Sequence, residues 1–319
     1  MPRFIIHHIT KYSYDEPVTD SANQVLLFPL KDEYQELISQ QLLITDNPAV
    51  DIYKDYYGNQ TGSFMNVVPH KELLVDSTIE VVTRPRLYPE DTEPAAAQWP
   101  ALKQLSGSME FIDFLKQENF EALAEVKKIA DAGFYDAVSV YVAVQQLTEY
   151  VYTNFKYIQG ITSVETTLEE IWKLKAGVCQ DFAHMLLVML RILHIPARYV
   201  SGYVCPKDAG MRGEGATHAW VEAYIPFYGW LGFDPTNNCV ATDLHVRLAV
   251  GRNFSDCSPV RGTYRGTSKQ VLEVGVSVAY EDGAISKQNT VLTPQPVVSN
   301  TDNQSSNSYR KHMEMMQQQ

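Results

Sequence analysis

GVCQDFAHMLLVMLRILHIPARYVSGYV, residues 177–204, is the stretch on which the reading of this chain turns. Phe182, Met185, Leu186, Met189, Leu190 and Leu193 recur at steps of three and four, the spacing of one helical face. Leu187, Val188 and Ile192 fill the opposite side. A helix apolar nearly all round belongs at the centre of a domain. Pro196 stops it, and ARYVSGYV then reads as a strand. The helix opens on Cys179. Unpaired backbone N–H groups and the helix dipole favour an anion at that end, and a thiolate is such an anion. Gly177, two residues earlier, is expected to leave room for a substrate carbonyl, with the Cys179 N–H turned to the oxyanion that develops there. A single cysteine is more commonly a buried structural thiol. Cys205, Cys239 and Cys257 are read that way; at Cys179 the helix start and the glycine favour chemistry.

A thiolate nucleophile needs a base, and the base needs a group to orient it. His184 lies five residues along the same helix, about 140° round the axis, and points away. A local contact with Asp181, three residues earlier, is the expected use of His184. His194 falls near the helix C-terminus, where a cationic imidazole suits the dipole. The better candidate is His218 in THAWVEAYIPFYGWLGFDPTNN, residues 217–238, which reads as a β-hairpin. His218, Trp220, Glu222 and Tyr224 share one face of its first strand. Trp220, Tyr224 and Trp230 are candidates to line a cleft or to fill the core. The second strand ends at Asp234, because Pro235 cannot continue a central strand. A turn centred on Pro226 sets Asp234 opposite His218. A turn centred between Phe227 and Tyr228 rotates it to the wrong face. Both registers are open, and the chemistry requires the first. With 4 Cys, 8 His and 38 acidic residues some Cys/His/Asp trio always exists. The information lies in the local settings: a cysteine at a buried helix start, a histidine in an aromatic strand, an aspartate before a strand-ending proline.

Outward from these blocks the chain changes character. FIIHHITKYSY, QQLLITDN, SFMNVVP and LLVDSTIEVVTR read as strands, with YYGNQTG (56–62) as a turn. RPRLYPEDTEPAAAQWP (84–100) holds four prolines and few core candidates, the best domain boundary in the chain. Residues 137–154 and 165–175 look like amphipathic helices, and QVLEVGVSVAY (270–280) like a strand. Ser, Asn and Gln dominate from about residue 290, as in a solvated tail. The expected organisation is a β-rich N-terminal domain over 1–90, a core over 91–289 and a polar, flexible tail over 290–319. Helices followed by an antiparallel sheet give an α+β class for the core.

The 319 residues suffice for roughly two domains. Charges sum to 26 − 38 = −12, and residues 1–100 contribute −8 of this. Such acidity disfavours nucleic acid and anionic membrane surfaces as partners. No run approaches the roughly 18 apolar residues of a membrane span, and MPRFIIHHITKYSY lacks the pattern of a signal peptide. Four sparse cysteines without a C-x-x-C spacing suggest reduced thiols and a cytoplasmic setting.

The quoted blocks resemble the transglutaminase-like superfamily, in particular the bacterial transglutaminase-like cysteine proteases. Residues 177–204 resemble the nucleophile block, 217–238 the His and Asp blocks, and GRNFSDCSPVRGTYRG (251–266) the segment after them. HHITKYSYDEPVTDSANQVLLFP (7–29) resembles the β-rich domain that precedes the core in that bacterial group. The resemblance implies a papain-like core, the cysteine helix packed on an antiparallel sheet, with Cys179 as nucleophile, His218 as general base and Asp234 as the residue orienting the imidazole. Asn253 departs from the pattern, standing where an acid is expected in a GRDY-like segment.

The resemblance further implies acyl transfer through a Cys179 thioester, on a peptide or protein amide substrate, without a cofactor or metal. Water as acceptor makes a peptidase or amide hydrolase, the favoured reading. A primary amine makes a true transglutaminase. A non-catalytic binding module on the same fold is the third reading. Gln159, ahead of the nucleophile, is a weak candidate for a second oxyanion donor. No D-x-D-x-D-G calcium run is present, and Cys239, His245 and Cys257 are too irregularly spaced for a common zinc pattern.

Overall fold

The computed structural model describes residues 1–90, 93–131, 138–206, 211–212, 217–280 and 293–295. They fall into two compact units: Met1–Thr83 together with the described residues from Ser258 onward, and Arg84–Cys257. No helix among the described residues is long and apolar enough to cross a membrane.

The first unit is an antiparallel sheet organised on one long strand, β1 (Arg3–Val25), with β2 (Gln35–Ile44), β3 (Asp51–Lys54), β4 (Gln60–Asn66) and β5 (His70–Thr83). Alternation sets the inward row of β1: Phe4, Ile6, His8 and Thr10 are buried. Its first half pairs with β5, Ile6 facing Ile79, and its second half with β4, Asn23 facing Phe64. A register break between Ser13 and Val18 separates the two pairings. The YYGNQTG turn joins β3 to β4. Asp55 Oδ1 accepts the Tyr57 and Asn59 N–H groups, both at about 2.8–2.9 Å, and Gly58 takes φ +83°.

The second unit runs through α1 (Ala95–Leu105), α2 (Ile112–Leu115), α3 (Leu123–Ala130), α4 (Val140–Asn154), β6 (Lys156–Tyr157), α5 (Leu168–Leu174), β7 (Ala176–Gly177) and α6 (Cys179–Ile192). Then come β8 (Ala197–Val204), β9 (His218–Ile225), β10 (Gly229–Asp234), β11 (Cys239–Val240), β12 (His245–Gly251) and α7 (Phe254–Cys257). The sheet order is β11-β10-β9-β8-β12, all pairs antiparallel. α6 packs on β9 and β8 and is surrounded by α3, α4 and α5. Residues Phe182, Met185, Leu186, Met189 and Leu190 are inaccessible, as the apolar circumference requires. This is the α+β arrangement of a cysteine helix on an antiparallel sheet.

The division between the units falls at the start of the proline-rich stretch, and the stretch does hold a core residue: Trp99 of α1 is buried, and its indole donates to the Val138 carbonyl at 3.0 Å. One expectation about bounds is corrected: the core does not extend to residue 289. β13 (Val260–Arg265) and β14 (Gln270–Tyr280) pair with β1, Val260 facing Val25 and Tyr280 facing Phe4. Periodicity marks 270–280 as a strand but says nothing about its neighbour; burial of Val276, Val278 and Tyr280 is completed by the inward row of β1. In the expected tail, Thr293–Gln295 forms β15 against Leu272–Val274; the rest of 290–319 lies outside the described residues.

The sheet of the second unit is closely built at Gly202, which faces His218 across β8 and β9. A Cβ there would stand 2.1 Å from the Val246 carbonyl oxygen and 2.7 Å from the Trp220 ring. Neither can retreat, one being backbone and the other a fully buried indole. Gly202→Ala is therefore expected to destabilise this unit by about 1–3 kcal/mol. Urea unfolding read by tryptophan fluorescence checks this, because Trp99, Trp172, Trp220 and Trp230 all lie between residues 84 and 257.

Candidate active site

The start of α6 is held from within. Val178, the residue before the helix, has no side-chain acceptor to offer, so Asp181 reaches back in its place. Its Oδ2 accepts the Val178 N–H at 2.7 Å and the Thr162 hydroxyl at 2.6 Å. Burial pushes the Asp181 carboxyl up, against the opposing pull of those two donors. Gly177 makes room for this carboxylate: a Cβ there would lie 2.4 Å from Asp181 Oδ2 and 2.7 Å from its Cβ. The expectation that Gly177 clears a path for a substrate carbonyl gives way to this packing reason. The expected Asp181–His184 contact is not formed either. His184 Nε2 instead accepts the Phe254 N–H at 3.2 Å, and burial lowers this imidazole to about 4, which suits an acceptor.

Residues 156–158 run beside the helix start, since β6 pairs in parallel with β7. Tyr157 thereby comes alongside Gly177 and close enough to Cys179 to feel its charge. Burial first, then Cys179, push the phenol up. Gln159 is exposed and hydrogen-bonds Tyr157. The weak Gln159 candidate thus stands in solvent, while the half-buried Tyr157 two residues earlier lies nearer the helix start.

His218 begins β9 and Asp234 ends β10. Gly229 pairs with Ile225, Trp230 with Tyr224 and Phe233 with Val221, so the turn centres on Phe227. This is neither of the two expected registers. One step beyond the last pair, Asp234 stands level with Trp220, two residues from His218 and on the same face. The offset costs nothing in reach: His218 Nε2 lies 2.8 Å from Asp234 Oδ2, both side chains fully inaccessible. Asp234 Oδ1 accepts the Thr236 and Asn237 N–H groups at 2.9 and 3.2 Å. Oδ2 also takes the Asn237 amide at 2.7 Å and faces His245 Nε2 at 3.4 Å. The Asn237 side chain holds Arg212, in the β8–β9 connection, by both its N–H (2.7 Å) and its carbonyl (3.2 Å).

These contacts set the charges. Burial alone would drive His218 down, but the adjacent Asp234, and then Cys179, push it up to about 10. Asp234 is held far below the usual carboxylate range; burial opposes this and the His218 and His245 donors prevail. His218 Nδ1 has no hydrogen-bond partner, and Cys179 acts on the ring through its charge. The half-buried Cys179 sulfur itself lies 4.0 Å from the Thr217 carbonyl oxygen. The structure thus pairs His218 with Asp234, and Cys179 is near enough to raise the imidazole. Trp220 lies 6.1 Å from His218, near-parallel, and is completely buried, so it fills the core. Tyr224 and Trp230 pack edge-on to each other and against Phe111.

Among the described residues, Asp234, Cys239 and His245 bring one possible ligand atom each to within 4.8 Å of one another. Burial and Asp234 push the Cys239 thiol up to about 12. Cys257 lies elsewhere, its thiol 3.8 Å from the Tyr199 carbonyl oxygen. Asn253 caps α7: its Oδ1 accepts the Ser255 N–H at 3.1 Å and hydroxyl at 2.6 Å, a role an acid would otherwise fill.

Residues 129–235 match the transglutaminase-like superfamily, and residues 4–82 match the bacterial transglutaminase-like N-terminal region. An uncharacterised protein of Mycobacterium leprae is 32% identical over 290 residues, covering 87% of this chain and 99% of its own. A crystal structure described as a "Putative Cysteine Protease" from Cytophaga hutchinsonii superposes with a TM-score of 0.71 at 23% identity, covering 94% of this chain and 95% of that one. A Pseudomonas aeruginosa protein-glutamine gamma-glutamyltransferase is 39% identical over 67 residues, 19% of this chain and 10% of its own. The chain belongs to the transglutaminase-like superfamily, in its bacterial form with a β-rich N-terminal region.

The charge state of His218 has a consequence for stability. Its folded value, about 10, lies above the ordinary 6.5. Its contribution is therefore complete below about 6.5 and disappears as pH rises through about 10. Tryptophan-detected unfolding is expected to weaken over that interval, and Asp234→Asn to flatten the slope. A wild-type profile equally flat there would contradict the assignment.

Proposed function

We propose that this chain is a thiol-dependent acyl-transfer enzyme, most plainly a peptidase or amide hydrolase, with Cys179 as nucleophile, His218 as acid and base and Asp234 orienting the imidazole. One observation supports the reading: His218 gives Nε2 to a buried aspartate, its Nδ1 has no hydrogen-bond partner, and the charge of Cys179, a half-buried thiol at a helix N-terminus, raises the ring. The Cys179 thiolate attacks the carbonyl carbon of a peptide or protein amide. The C–N bond breaks, and the proton on His218 Nδ1 passes to the departing amine. A thioester to Cys179 remains. Water attacks it, His218 takes a proton from that water, the C–S bond breaks and the thiolate returns. The Cys179 N–H belongs to the helix turn whose donors lack intrahelical acceptors, and the Tyr157 phenol, kept protonated by burial, stands near as a second oxyanion donor.

Half-exposure of Cys179 favours water as the acceptor. The alternative is transfer to a primary amine, making a true transglutaminase; the short match to the Pseudomonas aeruginosa enzyme supports it over part of the chain. A glutamine-containing peptide incubated with a labelled primary amine separates the two by mass spectrometry: free acid marks hydrolysis, labelled amide marks transfer.

Cys179→Ser is expected to abolish acyl-enzyme formation and reduce turnover by at least about 10³-fold, and Tyr157→Phe to reduce turnover about 10–100-fold with little change in KM. Iodoacetamide is expected to modify Cys179 well ahead of the buried Cys205 and Cys257 and the protonated Cys239. Equal reactivity of Cys179 and Cys239 would sink the enzymatic reading and leave the binding module.

A further inference from the structure

We propose that His245 is a positioning residue for this site, holding the Asp234 carboxylate, and through it the His218 ring, by a donor locked in one tautomer. The inference rests on the reading that Asp234 and His218 serve Cys179. His245 opens β12 and is buried. Its Nδ1 accepts the Thr242 N–H at 3.1 Å, in a turn that is itself closed by the Leu244 N–H on the Thr242 hydroxyl at 3.2 Å. An imidazole nitrogen that accepts a hydrogen bond carries no proton, so the single N–H of His245 is on Nε2. That nitrogen points at Asp234 Oδ2. The Trp220 indole stands edge-on to His245 at 5.2 Å while lying near-parallel to His218 at 6.1 Å, so one side chain packs against both rings.

The same tautomer decides against the other use of these residues. Asp234, Cys239 and His245 have the composition of a metal site. A protonated Nε2 has no lone pair to offer a metal, and the Cys239 thiol is held protonated as well. The cluster therefore holds a proton in place rather than a cation. The groups facing Asp234 are His218 from β9, Asn237 from the turn after β10, Cys239 from β11 and His245 from β12. Oδ2 shares its lone pairs among three side-chain donors, and each donor makes it a poorer base for the others. Loss of the His245 donor leaves Oδ2 more basic toward His218, so that His218 keeps its proton to higher pH and gives it up less readily to a leaving group.

Two variants of the full chain test this. His245→Asn keeps an acceptor near the Thr242 N–H but withdraws the donor from Asp234; His245→Gln extends an amide donor toward Asp234. NMR titration of histidine-labelled protein reads the His218 midpoint, and iodoacetamide modification of Cys179 across pH is followed in parallel. His245→Asn is expected to raise the His218 midpoint by about half a unit to one unit, and His245→Gln to hold it near the wild-type value. An unmoved or lowered midpoint in His245→Asn, with both variants merely less stable, overturns the inference. So does protection of Cys239 from iodoacetamide by added zinc in the wild type but not in His245→Asn, which would make His245 a metal ligand. Failure of the enzymatic reading looks different: wild-type Cys179 would then show no preferential modification at any pH.

Discussion

A carboxylate with no access to water has to be given donors by the protein, or it takes up a proton and its charge is lost. Asp234 is in that position, and much of the second unit serves it. The backbone after Pro235 folds back to present two N–H groups to Oδ1, and Asn237, His218 and His245 converge on Oδ2. These donors come from two strands and one turn. The hairpin register, the place where β10 ends and the return of β12 to the sheet edge all have to be right for the anion to persist. With it in place, a buried imidazole can carry positive charge; without it, burial would strip the proton from His218.

A second carboxylate, Asp181, does comparable work for the backbone. It closes the start of the cysteine helix and fastens to it Thr162, in the connection between β6 and α5. Gly177 is the concession that lets this happen. Glu222, on the same face of β9 as His218, is neutralised separately by Arg198 at 2.6 Å and Arg247 at 3.4 Å. The buried charges of this sheet are thus compensated in separate groups.

Much of this was legible in the amino-acid sequence because local periodicity carries it. The three-and-four spacing of α6 and the alternation of β9 are properties of single elements, and the Cys–His–Asp settings follow from where those elements begin and end. Properties that depend on two elements at once were less legible. The hairpin register turned on Phe227 and Gly229 both adopting positive φ, 66° and 107°, which makes a three-residue turn where simpler loops were weighed. The role of Gly177 could not be read without knowing where the Asp181 side chain goes. His245 looked like a stray residue in a failed zinc pattern, because its partner lies eleven residues back across a turn. The strand at 270–280 was visible as a strand, but alternation is the same whichever sheet it joins.

That last pairing has a topological consequence. Because β13 and β14 return to β1, the unit bearing the cysteine is an insertion between two strands of another sheet, not a module appended to its end. During synthesis β1 emerges first and its final neighbours last, more than two hundred residues later, so the inserted unit has its whole sequence available before the surrounding sheet can be completed. A fragment cut at residue 91 and carried through 289 would keep an eleven-residue strand without its template, exposing an unpaired edge of the kind that drives aggregation. The natural excision lies at 84 and 257, where the inserted unit begins and ends.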